Sequence, residues 1–196
     1  MDFSPQLEQL KIFTDGIYPL QGASWDDMAA AWQPFSAKRK VVLTKAGETE
    51  NHLYFVTAGV QRAFYLHSND KEATIVFTYP YSFSGVADSF LTRQPAPYFL
   101  ETLTASSFLR TSYARMNELM GKHPGIQQLF FKATAFALAG VLERQIEIQC
   151  FSAEEKFRRL LTRSPHVLQL IPHKYLASYL SIDASTFSKL LGTVKI

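Results

Sequence analysis

The sequence predicts an α+β protein: a roll of short β-strands (a jelly roll), a long helix, and a C-terminal helix-turn-helix unit. Three observations predict it. Short β-branched and aromatic runs separated by turn signals fill residues 39–113. A helix that is apolar nearly all round follows Pro124. Residues 171–191 read as two short helices joined by a tight turn, the second with small polar residues and one cation on its outer face.

The opening, to about Gln33, reads as helical, with Leu7, Leu10, Ile12, Phe13, Ile17, Trp25, Met28, Ala29 and Trp32 as buried faces and Pro19 and Gly22 as breaks. Pro34 begins a different regime. Strands are expected at Val41–Leu43, Leu53–Val56, Val60–Leu66, Ala73–Phe77, Phe99–Leu103 and Phe108–Ser112. Between them fall turns at Ala46–Glu48, Ala58–Gly59 and His67–Asp70. Such close spacing indicates a β-sandwich or small barrel.

Pro124-Gly125 opens a helix to about Gln149. Ala133, Ala135, Ala137, Ala139 and Gly140 let another helix approach closely, so two apolar faces call for the sheet domain on one side and a second copy on the other. A further helix is expected over Phe151–Leu161, with Phe157, Leu160 and Leu161 facing in and Ser152 and Glu155 forming a capping box. In the last unit Leu176, Ala177 and Leu180 form the inner face of the first helix. Ile182 lies in the turn, Asp183 is the N-cap, and Phe187, Leu190 and Leu191 bury the second helix. Ala184, Ser185, Ser188 and Lys189 point outward, and Gly192 is placed to end that helix. The organisation is thus residues 1–123, 124–149 and 150–196.

Composition narrows the chemistry. The chain has 196 residues, 47% of them apolar and only 19% charged, which excludes a disordered segment. One cysteine, Cys150, excludes a disulfide framework and a cysteine-rich metal site. Met1–Gln9 is polar and acidic, without the basic start and apolar core of a signal peptide, and the run Phe130–Leu142 is too short and interrupted to span a bilayer. A cytoplasmic protein with no membrane partner is expected. Net charge is +3, but residues 154–196 hold seven Lys/Arg against three Asp/Glu, and the rest thirteen against fourteen. The positive excess lies where DNA phosphates would be met. The five histidines, His52, His67, His123, His166 and His173, show no metal-ligand spacing. No metal, cofactor or catalytic residue is expected; the alternatives weighed are an axial haem ligand at His52 or His67 and a redox role for Cys150.

In its order of parts the chain resembles the cyclic-AMP receptor protein / fumarate–nitrate regulator (Crp/Fnr) family, and looks most like the short regulators typical of Bacteroidetes. Residues 53–60, 89–95 and 171–180 carry the resemblance, which spans about Leu7 to Leu191. It implies a cyclic-nucleotide-binding-like roll, a dimerising helix and a DNA-reading domain of winged-helix-like type, with double-stranded DNA, a second copy and RNA polymerase as candidate partners, and no catalysis. Nucleotide-binding members hold the cyclic phosphate with a Gly-Glu segment and an Arg-Ser pair about ten residues on. Aligned on Gly85, this chain has Val86, Ala96 and Pro97 there. The missing cation removes a charge-assisted bond worth ~1.5–3 kcal/mol, so the domain reads as degenerate and cyclic AMP as disfavoured.

Arg93 is the candidate substitute cation. A pocket for an unknown small-molecule effector would be lined by Phe83, Ser84, Gly85, Val86, Phe90, Arg93, Ala96, Pro97, Tyr98 and Phe99. On the DNA side the resemblance places Ala184, Ser185 and Lys189 at base edges, Thr186 and Ser188 at phosphates, and His173, Lys174 and Tyr175 at the backbone; Arg158, Arg159 and Arg163 read as solvated or phosphate-facing. Lys189 is the one strong candidate for a guanine. The alternative function is a dimeric β-roll that binds a ligand or a protein, with a weak or vestigial DNA-binding domain. The roll also resembles cupins, whose His-X-His and Glu metal cluster is absent.

Overall fold

A computed structural model describes residues 4–69 and 71–194. Outside them lie the first three residues of the Met1–Gln9 segment, Asp70 of the predicted turn, and Lys195 of the C-terminal charge excess. Helices α1 (Ser4–Asp15) and α2 (Ala23–Ala30) lead into strands β1 (Gln33–Ala37), β2 (Val42–Thr44), β3 (His52–Ala58), β4 (Gln61–Leu66), β5 (Glu72–Thr78) and β6 (Phe83–Ser84). Helix α3 (Ala87–Thr92), β7 (Phe99–Thr102) and β8 (Ser106–Ser112) complete the roll. Six helices follow: α4 (Tyr113–Lys122), α5 (Pro124–Cys150), α6 (Ala153–Arg163), α7 (Val167–Leu170), α8 (His173–Leu180) and α9 (Ala184–Thr193).

The strands form two antiparallel four-stranded sheets, in the orders β1-β8-β3-β6 and β2-β7-β4-β5. All six expected strands are present. Strand β1 falls where Pro34 only marks a change of regime, and β6 and α3 lie between the expected strands Ala73–Phe77 and Phe99–Leu103, where the sequence predicts no element. Long-range pairing with Arg110–Ser106 holds β1 in place, a tertiary partner that local propensity does not show. Gly59 makes the β3–β4 turn at φ 89°; a Cβ there would meet the Ala105 carbonyl at 2.5 Å, so only glycine fits.

One core joins α1, α2, α4 and the start of α5 to the first sheet, through Leu10, Met28, Trp32, Phe55, Met116, Leu119, Ile126 and Leu129. Ile12, expected inside, is 60% exposed. A second core joins Val60, Phe77 and Leu103 of the roll to Phe157, Leu161, Leu176, Ala177, Leu180 and Phe187 of the C-terminal helices. The capping box forms as predicted: the Ser152 hydroxyl accepts the Glu155 amide at 3.3 Å, and Glu155 accepts the Ser152 amide at 2.8 Å.

Helix α5 leaves the body of the molecule. Only Ile126, Leu129, Phe130 and Glu147 are buried along its 27 residues. The sheet domain therefore covers its first turns alone, not one whole side. Phe131, Phe136, Leu138, Val141, Leu142 and Ile146 are all at least 55% exposed. By length and composition α5 is the one helix among the described residues able to cross a bilayer, longer than the interrupted run in the sequence suggests. It nevertheless ends in a charged cluster: Glu147, 3% exposed, pairs with Arg144 at 3.1 Å, Arg159 at 3.3 Å and Arg163.

Candidate nucleic-acid interface and β-roll site

Helix α8, the turn and α9 form a helix-turn-helix whose turn is fixed by backbone bonds. The Ile182 amide donates to the Ala177 carbonyl at 3.1 Å and the Ser181 amide to Ser178 at 3.0 Å, a Schellman motif with Ser181 left-handed at φ 53°. Asp183 occupies the N-cap in extended conformation, but its side chain makes no capping hydrogen bond. Helix α9 continues through Gly192 to Thr193, so Gly192 does not end it. Among the described residues no strand follows as a wing.

Leu176, Ala177, Leu180, Phe187 and Leu190 are buried, while Ala184, Ser185, Ser188 and Lys189 form an exposed stripe with Thr186 half-buried beside it. His173 and Lys174 are exposed at the start of α8. Tyr175 is not: the structure turns it inward against the roll. Its hydroxyl accepts Lys40 Nζ at 2.8 Å, and the Arg62 guanidinium stacks on its ring at 3.7 Å. Burial raises the Tyr175 pKa, but Lys40, Arg62 and Lys174 outweigh it and the net shift is downward. Arg62, 2% exposed, is held by Glu72 at 2.6 Å and by Glu101. Burial disfavours its charge and the two carboxylates more than offset this, so its pKa rises. The β5 edge adds a bond from the Thr74 amide to Ser178 Oγ at 2.9 Å. Helix α8 is thereby docked on the roll. Arg158, Arg159 and Arg163, read as solvated or phosphate-facing, are paired with Glu154, Glu143 and Glu147.

In the roll, the residues expected around a ligand are divided among separate surroundings. Phe83 and Phe90 pack into the core of α1, α2 and α5. Val86 and Ala96 form a small core with Ala63, Leu100 and Tyr98. Phe99 stacks on Phe64 at 5.1 Å, Ser84 accepts a hydrogen bond from Thr78, and Pro97 is exposed. Tyr98 donates to Asp88 at 2.7 Å.

Glu50, which the sequence reading did not single out, occupies the position that matters most. It is 2% exposed and accepts the Val86 amide at 3.3 Å, the His52 amide at 3.0 Å and the Thr44 hydroxyl. The Val86 amide opens α3, so an internal carboxylate already sits at that helix start, beside Gly85 at φ 138°. Arg93 is equally committed. Its guanidinium donates to the Glu50 carbonyl at 2.6 Å and to Asn51 at 2.7 Å, and lies 4.0 Å from the Tyr113 ring. No pattern in the sequence marks Glu50, because its partners lie six, two and 36 residues away.

The model of the cyclic nucleotide-binding domain matches residues 34–123, the segment just described. This segment is similar to a cyclic nucleotide-binding domain. The domain, α5 and the helix-turn-helix together have the Crp/Fnr fold. FixK2 from Bradyrhizobium japonicum superposes with a TM-score of 0.74 at 15% identity, over 82% of this chain and 83% of that one. The c-di-GMP responsive global regulator CLP of Xanthomonas campestris gives 0.65 at 15%, over 88% and 90%. Catabolite activator protein from Thermus thermophilus gives 0.56 at 19%, over 90% and 87%. At these identities the likeness is one of fold. No curated protein matches the chain.

Proposed function

We propose that the chain is a cytoplasmic, homodimeric DNA-binding transcription regulator of the Crp/Fnr type that does not respond to cyclic AMP. The observation that carries the reading is the exposed stripe Ala184, Ser185, Ser188 and Lys189 on the second helix of a well-formed helix-turn-helix. Small side chains let such a helix enter the major groove, and Lys189 is placed to reach guanine O6 and N7. His173, Lys174 and Thr186 supply backbone contacts. Tyr175 is left out of that set, because its hydroxyl and ring are used inside the chain.

The exposed apolar side of α5 supports dimerisation. Each fully buried large side chain there is worth ~1.5–3 kcal/mol, so covering this stripe with a second copy is strongly favourable. The Glu50 carboxylate at the start of α3 supports the exclusion of a cyclic phosphate, which would have to displace an anion before meeting the amide. A role for RNA polymerase rests on the family resemblance alone.

Fluorescence anisotropy with DNA from the chain's own promoter region, against scrambled competitor at two salt concentrations, tests the reading. Site-selective binding that weakens steeply with salt is expected, and Lys189→Ala lowers specific affinity by ~1–3 kcal/mol. Absence of any binding at low salt favours the second reading, a dimeric roll with a vestigial DNA domain, which the weakly base-reading residues Ala184 and Ser185 would fit.

A further inference from the structure

We propose that the β1–β2 turn of the roll, Lys38-Arg39-Lys40, is a second contact with the DNA backbone, on phosphates that flank the bases met by α9. It is the longest run of consecutive cations in the sequence, and all three residues are exposed. The contact rests on the DNA-binding reading above and adds to it a surface outside the helix-turn-helix.

The backbone of this turn is held in place. Thr102 is fully buried, and its hydroxyl accepts the Val41 amide at 3.0 Å and donates to the Lys38 carbonyl at 2.7 Å. Its own carbonyl accepts the Lys40 amide at 2.8 Å. Lys40 is thereby kept left-handed at φ 64°, a conformation uncommon for any residue but glycine. The three cations are carried at a defined position on the rim of the roll.

That position adjoins the start of α8. The ammoniums of Lys40 and Lys174 each lie 4.8 Å from the Tyr175 ring centroid, on which the turn and the helix meet. The His173 ring lies 5.5 Å from Phe187, so the start of α8 also borders α9. In a helix-turn-helix the first helix crosses the DNA backbone beside the groove that the second enters. Charge points the same way. Arg62 and Lys40 offset Glu72 and Glu101, which they contact, and Lys38, Arg39 and Lys174 remain in excess. Neither Lys38 nor Arg39 forms an ion pair among the described residues. Exposed cations on one rim beside a DNA-reading helix meet phosphates, which position a protein without reading sequence.

The test is the salt dependence of DNA affinity for the full chain, by fluorescence anisotropy with promoter-region and scrambled duplexes between ~50 and ~200 mM salt. Each phosphate neutralised adds about 0.9 to the slope of log affinity against log salt. Lys38→Ala/Arg39→Ala is expected to flatten that slope by about 1.8, which makes the loss of affinity over this range about 12-fold smaller than in wild type. The double variant weakens promoter and scrambled DNA alike, whereas Lys189→Ala weakens promoter DNA selectively. Lys45→Ala, just past the other end of β2, is expected to keep the wild-type slope. An unchanged slope in the double variant, or equal flattening by Lys45→Ala, overturns the contact and leaves the DNA-binding reading standing. Failure of wild type to bind either duplex at the lower salt overturns both.

Discussion

The guanidinium of Arg62, on a central strand of the roll, lies 3.7 Å from the ring centroid of Tyr175 in the first helix of the helix-turn-helix. These residues are 113 positions apart, and the contact fixes the C-terminal unit to the roll. Arg62 is held in turn by Glu72 and Glu101, and Tyr175 by Lys40. Removing Arg62 leaves Glu101 buried with Lys40 as its remaining cation. Arg62→Met is therefore expected to cost ~3–5 kcal/mol, read as a lower urea midpoint. A change below ~1 kcal/mol would show that the pair does not support the docked arrangement.

Acid stability carries the mark of Asp27. Hydrogen bonds from Lys122 and His123, at 2.6 and 2.7 Å, lower its pKa from 3.8 to about 2. The folded state thus favours the ionised carboxylate. Its contribution is present above about pH 4 and is lost as the pH falls through about 2. Wild type is expected to lose this part of its stability between those values. In Asp27→Asn the difference between urea midpoints at pH 5 and pH 3 should shrink. An equal difference in both proteins would remove Asp27 from the acid response.

Self-association follows from α5. Val141, 63% exposed, sits amid the uncovered apolar side chains of the helix. Val141→Glu would place a charge in the proposed interface, at a position that makes no core contact in the monomer. Sedimentation velocity is expected to show a dimer for wild type and a monomer of unchanged helicity for the variant. A wild-type monomer at tens of micromolar would contradict the assignment of this face.

Cyclic AMP at millimolar concentration is expected to leave the Tm unchanged. The Val86 amide is taken by Glu50, and Arg93 by Glu50 and Asn51. A saturable upward shift would show that these internal bonds yield to a cyclic phosphate.

Much of the architecture was legible because its signals are local. The strand runs, the Pro124 helix start, the Ser152–Glu155 cap and the inward faces of α8 and α9 depend on neighbours within a few residues. What escaped depends on distant partners. Strand β1 is a strand because β8 pairs with it, and Ile12 is exposed because α1 presents a different side to the roll. Tyr175 looked like a surface anchor because its place in the first helix resembled one, yet Arg62 and Lys40, brought near by β-pairing, turn it inward. Glu50 carries no motif, since a carboxylate at a helix start is visible only once the chain is folded. The outward positions on α9 were readable because the 3.6-residue period alone separates them from Phe187 and Leu190.

The stoichiometry of the protein on DNA from its own promoter region, measured by sedimentation equilibrium with a labelled duplex, tests the dimeric DNA reader most directly. Two chains per duplex are predicted, reduced to weak or no binding by Val141→Glu and by Lys189→Ala through different routes. One chain per duplex, or no complex at low salt, would contradict a dimer that reads DNA through α9.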